Sequence, residues 1–334
     1  MSNPDTQVAP LLTAHFAEHG GDDARPLSQA EWSRLTEWLQ AAGRTAADLL
    51  KHSDRNDLLR GWNDRTVTRD RLCSLLERGA SLALAQERWE RAGIWVIDQS
   101  GHDYPERLKE RLRTRAPPVL FGCGNRKLFK VRSIAAVGSR NADEHALAFT
   151  DRPGRAIARD GFAVVSGGAR GIDQTAMLSA LAAEGTAVGI LADSLLKAAT
   201  ASKYRASLMA DNLLFVSPFN PEVRFNTGNA MVRNKLIYCL SEAAVVVAAD
   251  ADKGGTWHGA IENLKHGWVP LWVRSTPDAQ SGNAALLKRG AMEIHASNGP
   301  IEPLTRPLTH TTAEPMDDPN LFSHLDGGDT HRRA

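Results

Sequence analysis

Ile134-Ala-Ala-Val137-Gly138-Ser139-Arg140 and, one helix-length segment later, Phe162-Ala-Val-Val165-Ser166-Gly167-Gly168-Ala169-Arg170-Gly171-Ile172-Asp173 decide how this chain is read. Each stretch opens with a short run that is apolar on both faces, as in a strand buried between two layers. Each then ends in a glycine-bearing turn. The same grammar continues outward: Ala187–Leu191, Leu213–Val216, Val245–Ala249 and Leu271–Val273 read as further buried strands, with helix-length segments between most of them. This alternation predicts an α/β fold with a mainly parallel sheet covered by helices on both faces.

Upstream of Ser133 the pattern is helical. Ser28-x-x-Glu31 is a capping box, with Leu27 and Trp32 placed as the hydrophobic staple, and Trp32, Leu35 and Leu39 follow on one face. Thr45 can cap a second helix carrying Leu49 and Leu50. Leu72, Leu75 and Leu76 mark a third that stops near Gly79, and Leu82 to Trp89 a fourth, ended by Gly93. Ile94–Ile97 is a short extended run. The expected organisation is a disordered N-terminus over 1–24, a small all-helical domain over 25–100, the α/β domain over 101–298 and a disordered tail over 299–334.

The chain has 334 residues, 42% hydrophobic and 24% charged, as expected of a soluble globular protein. Its longest apolar runs fall far short of the ~20 residues needed to cross a bilayer, and no secretory signal is evident, which points to the cytoplasm. Cys73, Cys123 and Cys239 lie far apart without metal-ligand spacing, and read as reduced thiols. The formal net charge is only +1, but it is unevenly spread. Asp103–Arg140 holds ten Lys or Arg against three acids, and the tail from Pro300 holds six acids against three arginines. One basic face is therefore expected.

In sheets of this kind ligands sit beyond the carboxyl ends of the strands, at helix N-termini. Gly138-Ser139-Arg140, Ser166-Gly167-Gly168-Ala169-Arg170-Gly171 and Lys253-Gly254-Gly255-Thr256 all fall there. Glycine brings amide N–H groups close to an anion, the helix N-terminus adds partial positive charge, a hydroxyl donates a hydrogen bond and Arg or Lys supplies the countercharge. Together they describe a phosphate-binding rim. A fourth segment, Asn229-Ala-Met-Val-Arg233-Asn234-Lys235-Leu236-Ile237, opens another helix. Val232, Leu236 and Leu240 share its core-facing side, so Arg233 and Asn234 are expected to point elsewhere. Asp173 reads as a structural carboxylate complementing free amides at a helix start.

These motifs resemble those of the DprA/Smf family of DNA-processing proteins. Val-Gly-Ser-Arg at 137–140, the Ser166–Asp173 run, and Arg233-Asn234-Lys235-Leu236-Ile237 look like the family's signatures. Asp103-Tyr104-Pro105-x-x-Leu108 with Pro117-Pro118-Val119-Leu120-Phe121-x-x-Gly124 resembles its lead-in. The resemblance implies an extended Rossmann-like domain preceded by a helical domain of sterile-alpha-motif or helix-hairpin-helix type. It also implies binding of single-stranded DNA, self-association to a homodimer through the Rossmann-like domain, and loading of a RecA-type recombinase during DNA uptake or recombination, with handling of foreign DNA as the alternative setting. It assigns phosphate contacts to Gly138, Ser139, Arg140, Ser166, Gly167, Gly168, Arg170, Gly171, Arg233, Asn234 and Lys235, with Lys253, Gly254, Gly255 and Thr256 as the late glycine turn. No catalytic residue, cofactor or metal is expected. The chain departs from the family at Met177, commonly His, at Ala192-Asp193-Ser194, often glycine-rich, in the late turn, commonly Ser-Gly-Ser, and in having no winged-helix pattern after Ile294.

The main rival is an enzyme. Gly254-Gly255-Thr256 is similar to the turn of LOG phosphoribohydrolases, in which a glutamate follows the threonine by three residues, but here that position is Gly259, and the nearest carboxylate is Glu262. A small-nucleotide sensor using the same rim is a third reading. The first strand lacks a Gly-x-Gly-x-x-Gly fingerprint, and no Walker A sequence occurs. His145, His258 and His266 have no partner spacing, and Trp257 and Trp268 are candidates for base stacking or core.

Overall fold

The computed structural model describes residues 5–16, 24–51, 55–275 and 281–294. Five helices come first: α1 (Asp5–Thr13), α2 (Gln29–Ala41), α3 (Arg55–Leu58), α4 (Arg69–Leu76) and α5 (Gly79–Arg91). The predicted capping box forms at α2: the Ser28 hydroxyl accepts from the Glu31 amide, and the Glu31 carboxylate accepts from the Ser28 amide at 2.7 Å. Arg71 of α4 then donates two bonds to the same carboxylate, at 2.9 and 3.0 Å, and Arg25 a third. Burial alone would raise the Glu31 carboxyl, but these donors outweigh it and hold its pKa at about 2.

Within the stretch 1–24 expected to be disordered, residues Asp5–Thr13 form helix α1 instead. Val8, Leu11 and Leu12 fall at i, i+3 and i+4 and are 4% exposed or less, packed in the same core as Leu35, Leu72 and Trp89. The stripe is one turn long and holds Pro10, a residue that argues locally against a helix interior. The expected tail, 299–334, lies outside the described residues.

The sheet has nine strands: β1 (Ile94–Asp98), β2 (Val119–Gly124), β3 (Ser133–Gly138), β4 (Ala163–Ser166), β5 (Thr186–Ile190), β6 (Leu213–Ser217), β7 (Ala243–Ala248), β8 (Leu271–Arg274) and β9 (Met292–Ile294). Their order is β1-β2-β6-β5-β4-β3-β7-β8-β9. From β6 to β9 every pairing is parallel, while β1 and β2 add an antiparallel edge. The extended run at Ile94–Ile97 is therefore the outer strand of the sheet, so the helical layer runs directly into it.

Side chains alternate between two cores as a period of two requires. Ile134, Ala136, Val164, Leu213 and Val245 share one core with α7 (Glu144–Arg159), α8 (Ile172–Ala182) and the N-terminal helices. Ala135, Val137, Val165, Leu214 and Val246 face the other, with α6 (Glu106–Leu112), α11 (Thr227–Leu240), α12 (Gly254–His266) and α13 (Ser281–Lys288). Two short helices, α9 (Leu195–Ala199) and α10 (Ser202–Met209), lie between β5 and β6.

Strands β3 to β6 are laid down on one side of β3. The chain then crosses through α11 to place β7 on the other. This reversal makes the carboxyl ends of β3 and β7 a topological switch point, where adjacent connections leave in opposite directions and open a crevice.

Two outcomes follow from the helical layer. Leu12→Ala should lower stability by about 2–5 kcal/mol, the usual cost of a buried leucine; an unchanged melting temperature would show that α1 is not part of the core. The Glu31 carboxyl is depressed in the folded state, so its stabilisation is present above its ordinary pKa of 4.5 and is lost as pH falls towards about 2. The stability gap between the parent and Glu31→Gln, measured by denaturant titration, should accordingly narrow over that window.

Candidate functional site

At the switch point three predicted segments meet, and the glycines set how closely. A Cβ on Gly138 would stand 2.2 Å from the Ile172 side chain, so glycine there lets the start of α8 press against the end of β3. Asp173 in the first turn of α8 then accepts from the Gly138 amide at 3.4 Å. Across from it lies Arg233 of α11, with Nη1 3.7 Å from the carboxylate, an ion pair longer than a hydrogen bond. A Cβ on Gly167 would fall 1.4 Å from that guanidinium. Gly168 and Gly171 turn the loop with φ of +65° and +85°, which side chains rarely adopt.

Asp173 and Arg233 are each 5% exposed. Burial pushes the Asp173 carboxyl up and the Arg233 guanidinium down, and each charge opposes the shift of the other. Arg233 therefore stands behind the rim rather than on it. The expected helix phase is corrected by about one residue: Val232 is 38% exposed, while Arg233, Leu236, Ile237 and Leu240 are buried. Three apolar residues spaced by four matched one face, but Ile237 and the Asp173 charge opposite turn the helix to bury Arg233.

The other candidates divide in two. Arg140, Arg170 and Lys253 are exposed at the carboxyl edge, and Ser139, Gly254, Gly255 and Thr256 line or border the same cleft, about 560 Å³ in volume. Asn234 joins the segments by donating to the Gly255 carbonyl at 2.8 Å. Ser166, by contrast, is fully buried and donates to the Ala136 carbonyl at 2.5 Å. Lys235 turns towards Glu262, 3.9 Å away, and does not line the cleft. Met177 is 1% exposed in the core beneath α8, so the departure there changes packing rather than the rim.

Several cleft residues escaped sequence reasoning. Phe225, 47% exposed, sits with its ring 4.5 Å from the Arg140 guanidinium. It borders both the switch-point cleft and a neighbouring one of about 520 Å³. That second cleft adds the exposed Lys197 and Lys203 to Arg170. The lysines follow Ala192-Asp193-Ser194, a turn without the glycine signature that marks the other strand-to-helix turns of the rim.

The expected basic face is also redistributed. Arg107 and Arg132 both bind Glu242, at 2.8 and 2.9 Å, Arg111 donates to the carbonyls of Tyr238, Cys239 and Ser241 at the end of α11, and Arg126 pairs with Asp103 while stacking on Trp95. These arginines of the 103–140 stretch hold the fold together away from the cleft. Trp257 is 3% exposed and Trp268 stacks on His266, so neither tops the rim. Among the described residues no cluster could hold a metal, the three cysteines are free, and no helix is long and apolar enough to cross a membrane.

A doubly wound, Rossmann-like sheet whose switch-point cleft is rimmed by arginines, lysine and glycine turns defines the class. The family model for DNA recombination-mediator protein A matches residues 95–304. The chain belongs to this family. It is 28% identical over 251 residues to the DNA processing protein DprA of Bacillus subtilis, covering 72% of this chain and 83% of that one. It is 30% identical over 195 residues to a putative DprA of Mycobacterium tuberculosis, spanning 49% of that protein's length. Among solved structures, DprA of Streptococcus pneumoniae superposes with a TM-score of 0.60 at 19% identity, over 81% of this chain and 96% of that one. DprA of Helicobacter pylori, described for its single-stranded DNA binding mode, gives 0.51 at 24% identity, over 60% and 90%.

Burial separates the arginines experimentally. Arg233→Ala leaves Asp173 buried without its counter-charge, and should cost about 3–5 kcal/mol of stability, whereas Arg140→Ala at the exposed rim should stay within about 0.5 kcal/mol. Equal melting temperatures for the two variants would refute the assignment of Arg233 to the interior.

Proposed function

We propose that this protein binds single-stranded DNA through the rim at the carboxyl edge of its sheet, and acts in DNA processing and recombination by holding the strand rather than by cutting or modifying it. One observation carries the reading: Arg140, Arg170 and Lys253, each beside a glycine turn, stand exposed at one edge of the sheet, with Lys197 and Lys203 exposed beside Arg170 in the neighbouring cleft. Exposed cations spaced along an edge suit a chain of phosphates, which are alike in every sequence. Phe225, with an exposed ring beside Arg140, suits stacking against a base. The single-stranded DNA binding in the description of the H. pylori relative agrees with this reading.

The same geometry favours binding over hydrolysis. Gly259 occupies the position of a hydrolase's glutamate, where a Cβ would stand 3.2 Å from the Tyr238 ring, and Glu262 faces Lys235 outside the cleft. Asp173 and Asp250 are the carboxylates lining the cleft, and Asp173 is engaged by Arg233. A homodimer formed through the Rossmann-like domain and delivery of DNA to a RecA-type recombinase are carried over from the family, and a cytoplasmic location from the composition of the chain.

Binding to an unstructured oligonucleotide should weaken with salt. The slope of log K against log salt should be roughly −3 if about four phosphates are neutralised at ~0.7 each. Arg140→Ala and Arg170→Ala should each reduce affinity roughly tenfold or more, and make the slope shallower by about 0.7. A flat salt dependence, or turnover of nucleoside monophosphates that disappears in Glu262→Gln, would overturn the proposal.

A further inference from the structure

The exposed rim leaves the floor of the switch-point cleft without a role. Two buried donors on that floor have no hydrogen-bond partner among the described residues: the Tyr238 hydroxyl, on a residue 1% exposed, and Nε of Arg233, on a residue 5% exposed. A buried donor left unmet costs free energy comparable to a lost hydrogen bond, so such groups commonly await a ligand or a water. The first turn of α12 adds to them. Gly254, Gly255 and Thr256 line the same cleft at the start of α12, whose N-cap residue, Lys253, has no side-chain acceptor to offer their amides. All of these groups are donors, and what they lack is an acceptor.

Depth decides which acceptor can reach them. Arg140, Arg170 and Lys253 are exposed and meet a strand lying across the edge. Arg233 and Tyr238 lie beneath and are met only by a group that enters end-on. A phosphodiester continues in both directions and cannot enter in that way, whereas the phosphate at a chain end can.

We propose that the floor of this cleft receives a terminal phosphate monoester, carried by the end of a DNA strand or by a free nucleoside monophosphate. The strand-end form rests on the DNA-binding reading above; the free-nucleotide form does not. A monoester carries a charge of about −1.5 to −2 at neutral pH and three acceptor oxygens, against one charge for a diester. The walls fit the rest of a nucleotide: Val137, Ala230, Met231 and Ile237 give an apolar surface, and a volume of about 560 Å³ lies in the range of small-molecule sites. Two carboxylates line the cleft and oppose an anion. Asp173 is engaged by Arg233 and the Gly138 amide, and Asp250 is exposed at the mouth.

The test compares one oligothymidylate bearing a phosphate at neither end, at the 5′ end or at the 3′ end, at fixed salt. Thymidine 5′-monophosphate and thymidine serve as competitors. One phosphorylated end should bind about tenfold more tightly than the unphosphorylated strand, the equivalent of one charge-assisted hydrogen bond. Tyr238→Phe removes only the floor hydroxyl. It should abolish most of that preference while leaving melting temperature and the affinity of the unphosphorylated strand unchanged. Competition by the monophosphate but not by thymidine would identify a free nucleotide as a second source of the same group. Equal affinity for all three strands with no monophosphate binding overturns the inference, as does a preference that survives Tyr238→Phe. If no strand binds but the monophosphate does, the inference stands and the DNA-binding reading falls.

Discussion

Arg233 and Asp173 face each other across 3.7 Å beneath the carboxyl ends of β3 and β4, and the architecture of the cleft depends on that buried pair. Neither charge could remain in the interior alone, because the desolvation of an unpaired ion outweighs what packing returns. Their pairing binds three distant segments. Asp173 holds the end of β3 through Gly138, Arg233 brings α11 across the switch point, and Gly167 leaves the space in which the guanidinium lies. Asn234, next along α11, then fixes the turn before α12 through the Gly255 carbonyl. A methyl group at Gly167 would occupy the guanidinium's place, so that position tolerates no side chain while the pair exists.

This arrangement separates two kinds of positive charge. The interior arginine organises the loops and is held by its carboxylate, whereas Arg140, Arg170, Lys197 and Lys253 remain exposed and able to meet an external anion. The division suits a binding protein. Glycine turns bring amides and cations to one edge, and exposed lysines and arginines give up little hydration until phosphates replace their counterions. The arginines of the 103–140 stretch serve a third purpose. Arg107, Arg111 and Arg132 lock α6 and the start of β3 to the end of α11, on the opposite side of the sheet from the N-terminal helices.

The strands, the glycine turns and the capping box at Ser28 were legible in the chain because each depends on neighbours within a few residues. Apolar runs between turn signals become β3 to β8 nearly residue for residue, and local hydrogen-bond chemistry places the start of α2. The carboxyl-edge location of the site was legible for a related reason, since parallel connections put every strand-to-helix turn on one edge. The resemblance to the family added which turns matter, and the match over residues 95–304 agrees with it.

Which side chains reach the exposed rim of the cleft was decided only by the tertiary structure. Arg233, Ser166 and Lys235 share the composition of a phosphate site, yet one is buried against Asp173, one is bonded to Ala136 and one turns to Glu262. Phe225 and Lys197 border the two clefts from segments with no local signature, and Tyr238 enters from just beyond the Arg233–Ile237 motif. The physical reason is the range of the interactions. Backbone conformation and amphipathic pattern are settled by contacts a few residues apart, so sequence alone determined the elements and their order. The phase of α11, the packing of Leu11 and Leu12 and the partner of each charge depend on groups tens to hundreds of residues away, brought together only when the sheet closes over its two cores.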